Sequence, residues 1–214
     1  MKRPTAINNI KRDVSRLIVP YEAEKCLVNL AGNYDYLELP YYISQDFENG
    51  GQRIHPTCEE ALDAYVTPLF LEKAKLSGLP VSTYYITNNY FEPPVVIDSV
   101  NPFMIRSRVV LKPGREQSVA QSLTRNYKYS ICCQEIPEGA RVRYFRAVMG
   151  WCNIPRYKAF ALEIWRVFKM PLARVRIIEK SDGTIFYSDL SQLPFEKLNK
   201  KEISYLRDLL KWEE

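Results

Sequence analysis

Residues 173–190 read ARVRIIEKSDGTIFYSDL, and this stretch carries the strongest local signal in the chain. Apolar and polar residues alternate on both sides of Asp182-Gly183, a dipeptide that favours the tight turn of a β-hairpin because glycine tolerates positive φ. We therefore predict two antiparallel strands here, followed by a closing helix over residues 200–212.

Toward the N-terminus of this hairpin, the pattern predicts a mixed sheet. Strands are expected over residues 141–151, 127–136, 107–112 and 81–87, with helices over 157–168 and 114–123. Residues 91–104 (FEPPVVIDSVNPFM) are interrupted by prolines, and we expect a loop there. This half of the chain is typical of an α+β arrangement.

The first half alternates between helices and strands. We predict a basic amphipathic helix over residues 6–17, a buried parallel strand at 25–30, a helix ending near residue 50 and a short strand at 52–56. A long helix over 58–77 is expected to bend at Pro68. The prediction is therefore α/β to α+β, with an α/β half over 1–80 packed against an α+β half over 81–214.

Composition is that of a globular protein, with 214 residues, 46% hydrophobic and 26% charged, and a net charge of +5. No apolar run approaches the roughly 18 to 20 residues of a membrane span, and the N-terminus lacks the apolar core of a signal peptide. The five cysteines are irregularly spaced, which favours reduced thiols over disulfides. We expect a cytoplasmic protein that does not contact membranes, of unknown oligomeric state.

Signals for catalysis are missing. The one histidine, His55, ends a predicted strand, and no cluster of cysteines or carboxylates at ligand spacing surrounds it in the sequence. The GxSxG, HExxH, GxGxxG and GxxxxGK[ST] patterns do not occur, and the scattered acidic residues select no general acid and base. We therefore expect no metal, no cofactor and no catalytic residue.

Two stretches carry a family resemblance. Residues 26–57 contain a strand ending in Asn, a Tyr-x-Tyr-Leu, a Tyr-Tyr-x-Ser and a later strand closed by proline. These positions are Asn29, Tyr34, Tyr36, Leu37, Tyr41, Tyr42, Ser44, Gly51 and Pro56. Residues 160–198 add an aromatic residue, a Pro-Leu pair, a hairpin and the approach to a last helix. In both stretches the chain resembles the N-terminal domain family of RimK-like ATP-grasp proteins.

This resemblance implies a pre-ATP-grasp-like strand-helix-strand-helix layer. In the family, the nucleotide and magnesium sites belong to the ATP-grasp ligase domain that follows, so the resemblance implies a stand-alone domain without that machinery. Residues 81–137 depart from the pattern and are interpreted as an insertion.

A rival interpretation places the ligase core itself in residues 109–148. Lys112 would then be a strand-borne lysine and Gln134-Glu135 a hinge. The magnesium-binding Glu-x-Asn that should close the following hairpin is absent, because residues 186–193 read FYSDLSQL. We therefore favour a non-catalytic role.

The first functional hypothesis is an accessory or substrate-recognition module that acts with a separate ATP-grasp ligase. Polar and aromatic residues follow the first predicted strand, at the position where open α/β sheets gather ligands. The candidate ligand-binding residues are Asn29, Asn33, Tyr34, Tyr36 and His55.

The alternative hypothesis is association with RNA or the ribosome. Arginine and lysine alternate with aromatic residues, and residues 141, 143 and 145 of a strand would share one face, combining phosphate contacts with base stacking. Gly114 opens a predicted helix whose free N–H groups would add an anion cradle. The candidate nucleic-acid-binding residues are Lys112, Arg115, Arg125, Lys128, Arg141, Arg143 and Arg146.

Overall fold

The computed structural model describes residues 16–100 and 107–211, which form three sheets and six helices. The strands are β1 Ile18–Tyr21, β2 Cys26–Asn29, β3 Ile54–His55, β4 Tyr84–Thr87, β5 Val95–Ser99, β6 Ser107–Val110, β7 Ile131–Glu135, β8 Arg141–Val148, β9 Leu172–Glu179 and β10 Ile185–Ser191. The helices are α1 Leu39–Asn49, α2 Cys58–Tyr65, α3 Thr67–Leu76, α4 Glu116–Leu123, α5 Lys158–Phe168 and α6 Lys200–Leu210. The predicted helix over 6–17 lies almost wholly outside the described residues.

Contacts divide the chain into two units, each assembled from separated segments. Unit 1 comprises Met1–Ala64, Phe145–Arg174 and Ser191–Glu214, and unit 2 comprises Tyr65–Tyr144 and Val175–Leu190. The boundaries therefore differ from a single division at residue 80. Strands β8, β9 and β10 form one sheet in the order β10-β9-β8.

In unit 1, β2 lies between two neighbours of opposite direction. It pairs antiparallel with β1, where Tyr21 is opposite Cys26, and parallel with β3, where Val28 is opposite His55. The pairing with β3 confirms the parallel arrangement, whereas β1 was not predicted. A core cluster of this unit includes Val28 of β2, together with residues from α5 and α6.

In unit 2, a four-stranded antiparallel sheet has the order β4-β7-β5-β6. Strand β5 lies where the sequence predicted a loop, and that prediction was wrong. The run of Val95, Val96 and Ile97 is fully buried, so both faces of the strand are covered and the apolar residues need not alternate with polar ones.

The two faces of this sheet differ in chemistry. Val95, Ile97 and Cys133 join an apolar cluster that α4 covers. Their strand neighbours point the other way, and on that face Asp98 and Gln134 make polar contacts with β9 and β10. The consecutive cysteines 132 and 133 follow this alternation.

The predicted long helix over 58–77 is broken into α2 and α3. Val66 has an extended conformation with φ −95° and ψ 101°, and Pro68 lies in the first turn of α3. A proline is tolerated there because first-turn N–H groups have no partner within the helix, whereas in a continuous helix it would remove a hydrogen bond. The proline therefore begins a second helix instead of bending one.

The predicted hairpin is confirmed, with β9 and β10 joined around Gly183, whose φ is 87°. The closing helix α6 is capped by Asn199, which accepts from the backbone N–H groups of Lys201 and Glu202, while the Glu202 side chain accepts from the Asn199 N–H. Among the described helices none is both long and apolar enough to cross a bilayer.

Candidate functional site

A buried arginine organises the polar face of unit 2. Arg176 stands on β9 and is 2% exposed. Its guanidinium donates two hydrogen bonds to the Asp98 carboxylate, from Nη1 to Oδ1 at 2.8 Å and from Nη2 to Oδ2 at 2.5 Å. Its Nε donates to Ser188 Oγ at 2.8 Å. The planar fork of arginine matches both oxygens of a carboxylate, so Asp98 is held as a fixed counter-ion.

Gln134 completes this group, which we call the polar centre (Asp98, Gln134, Arg176, Ser188). Its Nε2 donates to Asp98 Oδ2 at 3.1 Å and to the Ser188 carbonyl at 3.0 Å. Its Oε1 is buried and has no hydrogen-bond partner within the described part of the chain. Both oxygens of Asp98 therefore already accept hydrogen bonds from cationic or amide donors.

A second carboxylate lies next to the polar centre. Asp189 accepts a hydrogen bond from Thr67 Oγ1 at 3.0 Å. Burial raises the pKa of Asp189 to about 7, an effect that the charge of Asp98 reinforces and that Arg176 opposes. Burial alone would lower the pKa of Arg176, but the two aspartates outweigh it and raise that pKa, so the guanidinium stays charged.

This arrangement limits the chemistry of the two aspartates. Divalent cations are held in proteins by deprotonated oxygen ligands. At the polar centre a permanently charged guanidinium occupies Asp98, and Asp189 is partly protonated near neutral pH. A metal ion would have to displace Arg176 or repel it at close range, which disfavours magnesium binding at these carboxylates.

A cleft of about 560 Å³ lies in the same unit. Its lining combines aromatic, proline and acidic residues, including Tyr85, Tyr90, Glu92, Glu135, Pro137 and Phe186. The Glu92 N–H donates to the Tyr85 hydroxyl at 3.1 Å, which holds one ring at the wall. Such a surface suits a ligand that is apolar or flat and carries a positive charge.

The main chain at the predicted Gln134-Glu135 hinge is engaged within the unit. The Glu135 carbonyl accepts from Ser82 Oγ at 2.5 Å, and the Ile136 N–H donates to the Pro94 carbonyl at 3.0 Å. These backbone groups hold β7 to its neighbours and are not directed to a ligand.

Two of the predicted ligand residues in unit 1 make internal contacts. Asn29 is fully buried, where its Nδ2 donates to the Pro40 carbonyl and to Ser44 Oγ and its Oδ1 accepts from the Ala31 N–H. The Tyr34 hydroxyl donates to the Asn29 carbonyl at 2.7 Å. Asn29 therefore fastens the end of β2 to α1, and Tyr34 fastens the loop between them to β2.

Asn33 and Tyr36 are partly exposed. Asn33 Oδ1 accepts from the Asp35 N–H at 3.5 Å, which supports the local turn. Their role in ligand binding stays a prediction.

His55, by contrast, has side chains around it that could coordinate a metal ion together with it. Its ligand atom and those of Glu24 and Cys26 lie within 4.8 Å of one another. Spacing along the chain shows no such cluster around His55, and the three residues come together only in the fold. Pairing of β2 with β3 brings Cys26 and His55 together although they are distant in sequence.

The predicted nucleic-acid-binding residues fall into two groups. The exposed ones are Lys112, Arg115, Arg125, Lys128, Arg141 and Arg143, the last lying 3.8 Å from Glu179. Arg146 is half-buried, where it donates to Glu202 at 2.8 Å and to the Lys197 carbonyl. Phe145 is 2% exposed and stacks on Tyr157, so it does not share a solvent-facing surface with the arginines.

No protein family model matches the chain, and no curated protein matches its sequence. Solved structures do match it in shape. A D-alanine-D-alanine ligase from Helicobacter pylori aligns with a TM-score of 0.59 and 14% identity over 87% of this chain and 70% of its own. A RimK domain ATP-grasp protein from Sphaerobacter thermophilus aligns with a TM-score of 0.53 and 14% identity over 78% of this chain and 71% of its own.

A third structure, the ATP-grasp ligase PsnB complexed with precursor peptide PsnA2 and AMPPNP, aligns with a TM-score of 0.50 and 14% identity over 78% of this chain. The chain has an ATP-grasp-like fold. The alignment spans 61% of that PsnB chain, so this sequence corresponds to about three fifths of it. Because these likenesses cover most of the present chain, they do not single out a stand-alone N-terminal domain.

Proposed function

We propose that this ATP-grasp-like chain is a non-catalytic accessory or substrate-recognition module that acts with a separately encoded ATP-grasp ligase. The observation that carries the proposal is the buried ion pair of Arg176 with Asp98. An enzyme that transfers a phosphoryl group needs acidic residues to hold the magnesium ions that neutralise the phosphates. In unit 2 the buried carboxylate of Asp98 is paired with an arginine instead.

The hairpin β9–β10 supports the same proposal. At the position where the rival interpretation requires Glu-x-Asn, the chain has Asp189-Leu190-Ser191. Asp189 is engaged by Thr67, and its pKa is raised to about 7. The Ser191 hydroxyl donates to the Arg174 carbonyl at 3.3 Å. These residues are occupied in the fold and are poor metal ligands.

For the ligand, we propose a peptide segment bound in the cleft of unit 2. Tyrosine and phenylalanine rings with prolines offer apolar contact area, and Glu92 and Glu135 offer complementary charge to a basic side chain. The likeness to PsnB, whose structure contains a precursor peptide, makes peptides the natural class to test first.

We further propose a cytoplasmic setting for this module. All five cysteines are free thiols, and four of them are buried. Reduced, unpaired cysteines are typical of proteins in a reducing compartment.

The first test is turnover of ATP. The purified chain is incubated with Mg²⁺, ATP and candidate peptides, and ADP release is measured for the wild type and for Asp189→Asn. The matched control is Asp208→Asn, which changes an exposed aspartate on α6. We expect no magnesium-dependent ADP release from any of the three. Release by the wild type that Asp189→Asn abolishes and Asp208→Asn preserves would overturn the proposal.

The second test measures recognition directly. An ATP-grasp ligase that co-purifies with the chain is assayed for peptide ligation with and without it. Tyr90 is 62% exposed at the cleft, so Tyr90→Ala should lower the stimulation without unfolding the protein. Tyr42→Ala, at a tyrosine that is 47% exposed in unit 1, is the control and should stimulate as the wild type does. A ligase equally active without this chain contradicts the accessory role.

A further inference from the structure

A compact group of three different ligand types lies in unit 1, far in sequence from the polar centre of unit 2. Glu24 belongs to the turn between β1 and β2, Cys26 begins β2, and His55 ends β3. Their ligand atoms lie within 4.8 Å of one another. Cys26 and His55 are each 8% exposed. The parallel register, in which Val28 is opposite His55, places Cys26 and His55 on one face of the sheet.

The hydrogen bonding of His55 fixes which ring nitrogen can bind a metal. Nδ1 lies 2.8 Å from Glu60 Oε2, and that carboxylate is itself held by the Thr57 N–H at 2.8 Å. A carboxylate accepts hydrogen bonds, so Nδ1 carries a proton, and in the neutral form of the imidazole the lone pair is on Nε2. A carboxylate behind a histidine in this way is the usual support of a metal-binding imidazole.

The Nε2 atom itself is unused. It is buried and makes no hydrogen bond to any residue that the structure describes. Glu24 Oε2 is 3.9 Å away, beyond hydrogen-bonding range. In the neutral imidazole, a buried Nε2 lone pair that makes no hydrogen bond is unfavourable for the protein alone, and it becomes favourable when a cation lies between the three groups.

The third ligand, Glu24, is kept ionised. Burial would raise its pKa, but the hydrogen bond and charge of Lys169 outweigh burial and lower it. Lys169 Nζ lies 2.9 Å from both carboxylate oxygens, and Trp165 Nε1 donates to Oε1 at 3.2 Å. Oε2 is therefore the oxygen that faces His55, and the ammonium of Lys169 is the cation that a metal ion would have to displace from it.

We propose that Glu24, Cys26 and His55 form a binding site for a divalent transition-metal ion of the zinc type. Nitrogen, sulfur and oxygen donors together suit zinc, whereas magnesium and calcium prefer oxygen alone. Tetrahedral zinc with bonds of about 2.0 to 2.3 Å needs ligand atoms roughly 3.3 to 3.8 Å apart, which modest side-chain rotations here would reach. Three protein ligands leave one coordination position open to water.

Access to the site is available from the protein surface. A shallow depression of about 330 Å³, lined by residues that include Tyr21, Lys25, Cys26 and Arg53, reaches the edge of the cluster at Cys26. Burial raises the pKa of the Cys26 thiol, so metal binding must release its proton. This site is independent of the proposed recognition function, because it draws on unit 1 alone.

The test is cobalt titration of the chain after chelator treatment. Co²⁺ is expected to bind with one-to-one stoichiometry and to give thiolate charge-transfer absorption with the d–d bands of a four-coordinate ion, both lost on addition of Zn²⁺. Cys26→Ser should remove the charge-transfer band, whereas Cys58→Ser, at a cysteine outside the cluster, should leave it. Glu60→Gln, which changes the positioning residue behind His55, should weaken binding about 10- to 100-fold.

A variant that is expected to bind cobalt more tightly separates the loss of a metal ligand from misfolding. Lys169→Met removes the competing ammonium and should tighten cobalt binding about tenfold, since a like charge within a few ångströms opposes the ion. Lys75→Met, at an exposed lysine in unit 2, is the control and should leave the affinity unchanged. No cobalt absorption at saturating metal, the same charge-transfer band in Cys26→Ser, or equal affinities for Lys169→Met and the wild type would each overturn the proposal. If Cys26→Ser does not fold, the comparison of Lys169→Met with Lys75→Met decides whether the site exists.

Discussion

Replacing Arg176 with methionine tests how the polar centre is held together. The side chains of Arg176 and Asp98 are 2% and 7% exposed, so solvent screens their attraction very little. Methionine fills a similar volume but leaves Asp98 buried without its counter-charge. Removing one partner of a buried ion pair costs about 3 to 5 kcal/mol. That is a large part of the roughly 5 to 15 kcal/mol that stabilises an ordinary protein.

The loss should also depend on pH. An unpaired buried aspartate favours its neutral acid form, which is available at low pH and lost as pH rises. The deficit of Arg176→Met relative to the wild type should therefore be smaller at about pH 5 than at about pH 8. The native guanidinium remains charged and paired with Asp98 at both values, whereas Asp189 loses its proton between them, so each comparison with the wild type is made at the same pH.

Urea unfolding followed by far-ultraviolet circular dichroism measures this loss. Arg174→Met is the matched control, because Arg174 is exposed on the same strand, and it should change the free energy of unfolding by about 0.5 kcal/mol or less. A loss below about 1 kcal/mol for Arg176→Met, or one independent of pH, would refute the view that Arg176 is a buried counter-ion for Asp98.

Three further substitutions probe other parts of the fold. Gly32→Ala should destabilise the protein by about 3 kcal/mol or more in thermal unfolding, because φ is +74° and a Cβ would meet the Leu193 carbonyl. Gly78→Ala is the control: φ is +78° but the space around it is open, so the substitution should cost only about 1 to 2 kcal/mol. Asn199→Ala should cost about 1 kcal/mol in urea unfolding by removing the cap of α6, and an unchanged midpoint would contradict that role. Asp189→Asn should be more stable than the wild type at about pH 8 and similar at about pH 5. Burial raises the folded pKa of Asp189 to about 7, so the stability that the protonated carboxyl contributes is lost as pH rises through that value. Thermal midpoints at both pH values check this.

The sequence predicted those helices and strands whose characteristic residue pattern lies within one short stretch of the chain. The hairpin over 173–190 needs only alternation and Asp182-Gly183, and β2 needs only an apolar run. The ATP-grasp relationship, suggested by two stretches of sequence, agrees with the structural likeness at the level of the fold. Strand β5 was missed because Pro93, Pro94 and Pro102 surround it, and prolines near a strand end read as a loop although they need not interrupt its pairing.

The candidate sites were less accessible to sequence reasoning. An arginine at a strand position such as Arg176 is read as solvent-facing, and only its distant partner Asp98 explains why it is buried. The neighbours of His55 were likewise missed because spacing along the chain does not measure distance in space. The signal was present, however, since Cys26 and His55 lie on two successive predicted strands of a strand-helix-strand unit, and successive strands are often neighbours in a sheet.

The way the backbone alternates between the two units has a practical consequence for dissecting the protein. The chain crosses from one unit to the other after residues 64, 144, 174 and 190. A truncation at residue 80 would therefore yield fragments that each lack strands or helices from both units. A fragment that contains all of unit 2 would instead join residues 65–144 to residues 175–190. A fragment that contains all of unit 1 would need the three remaining segments joined by linkers.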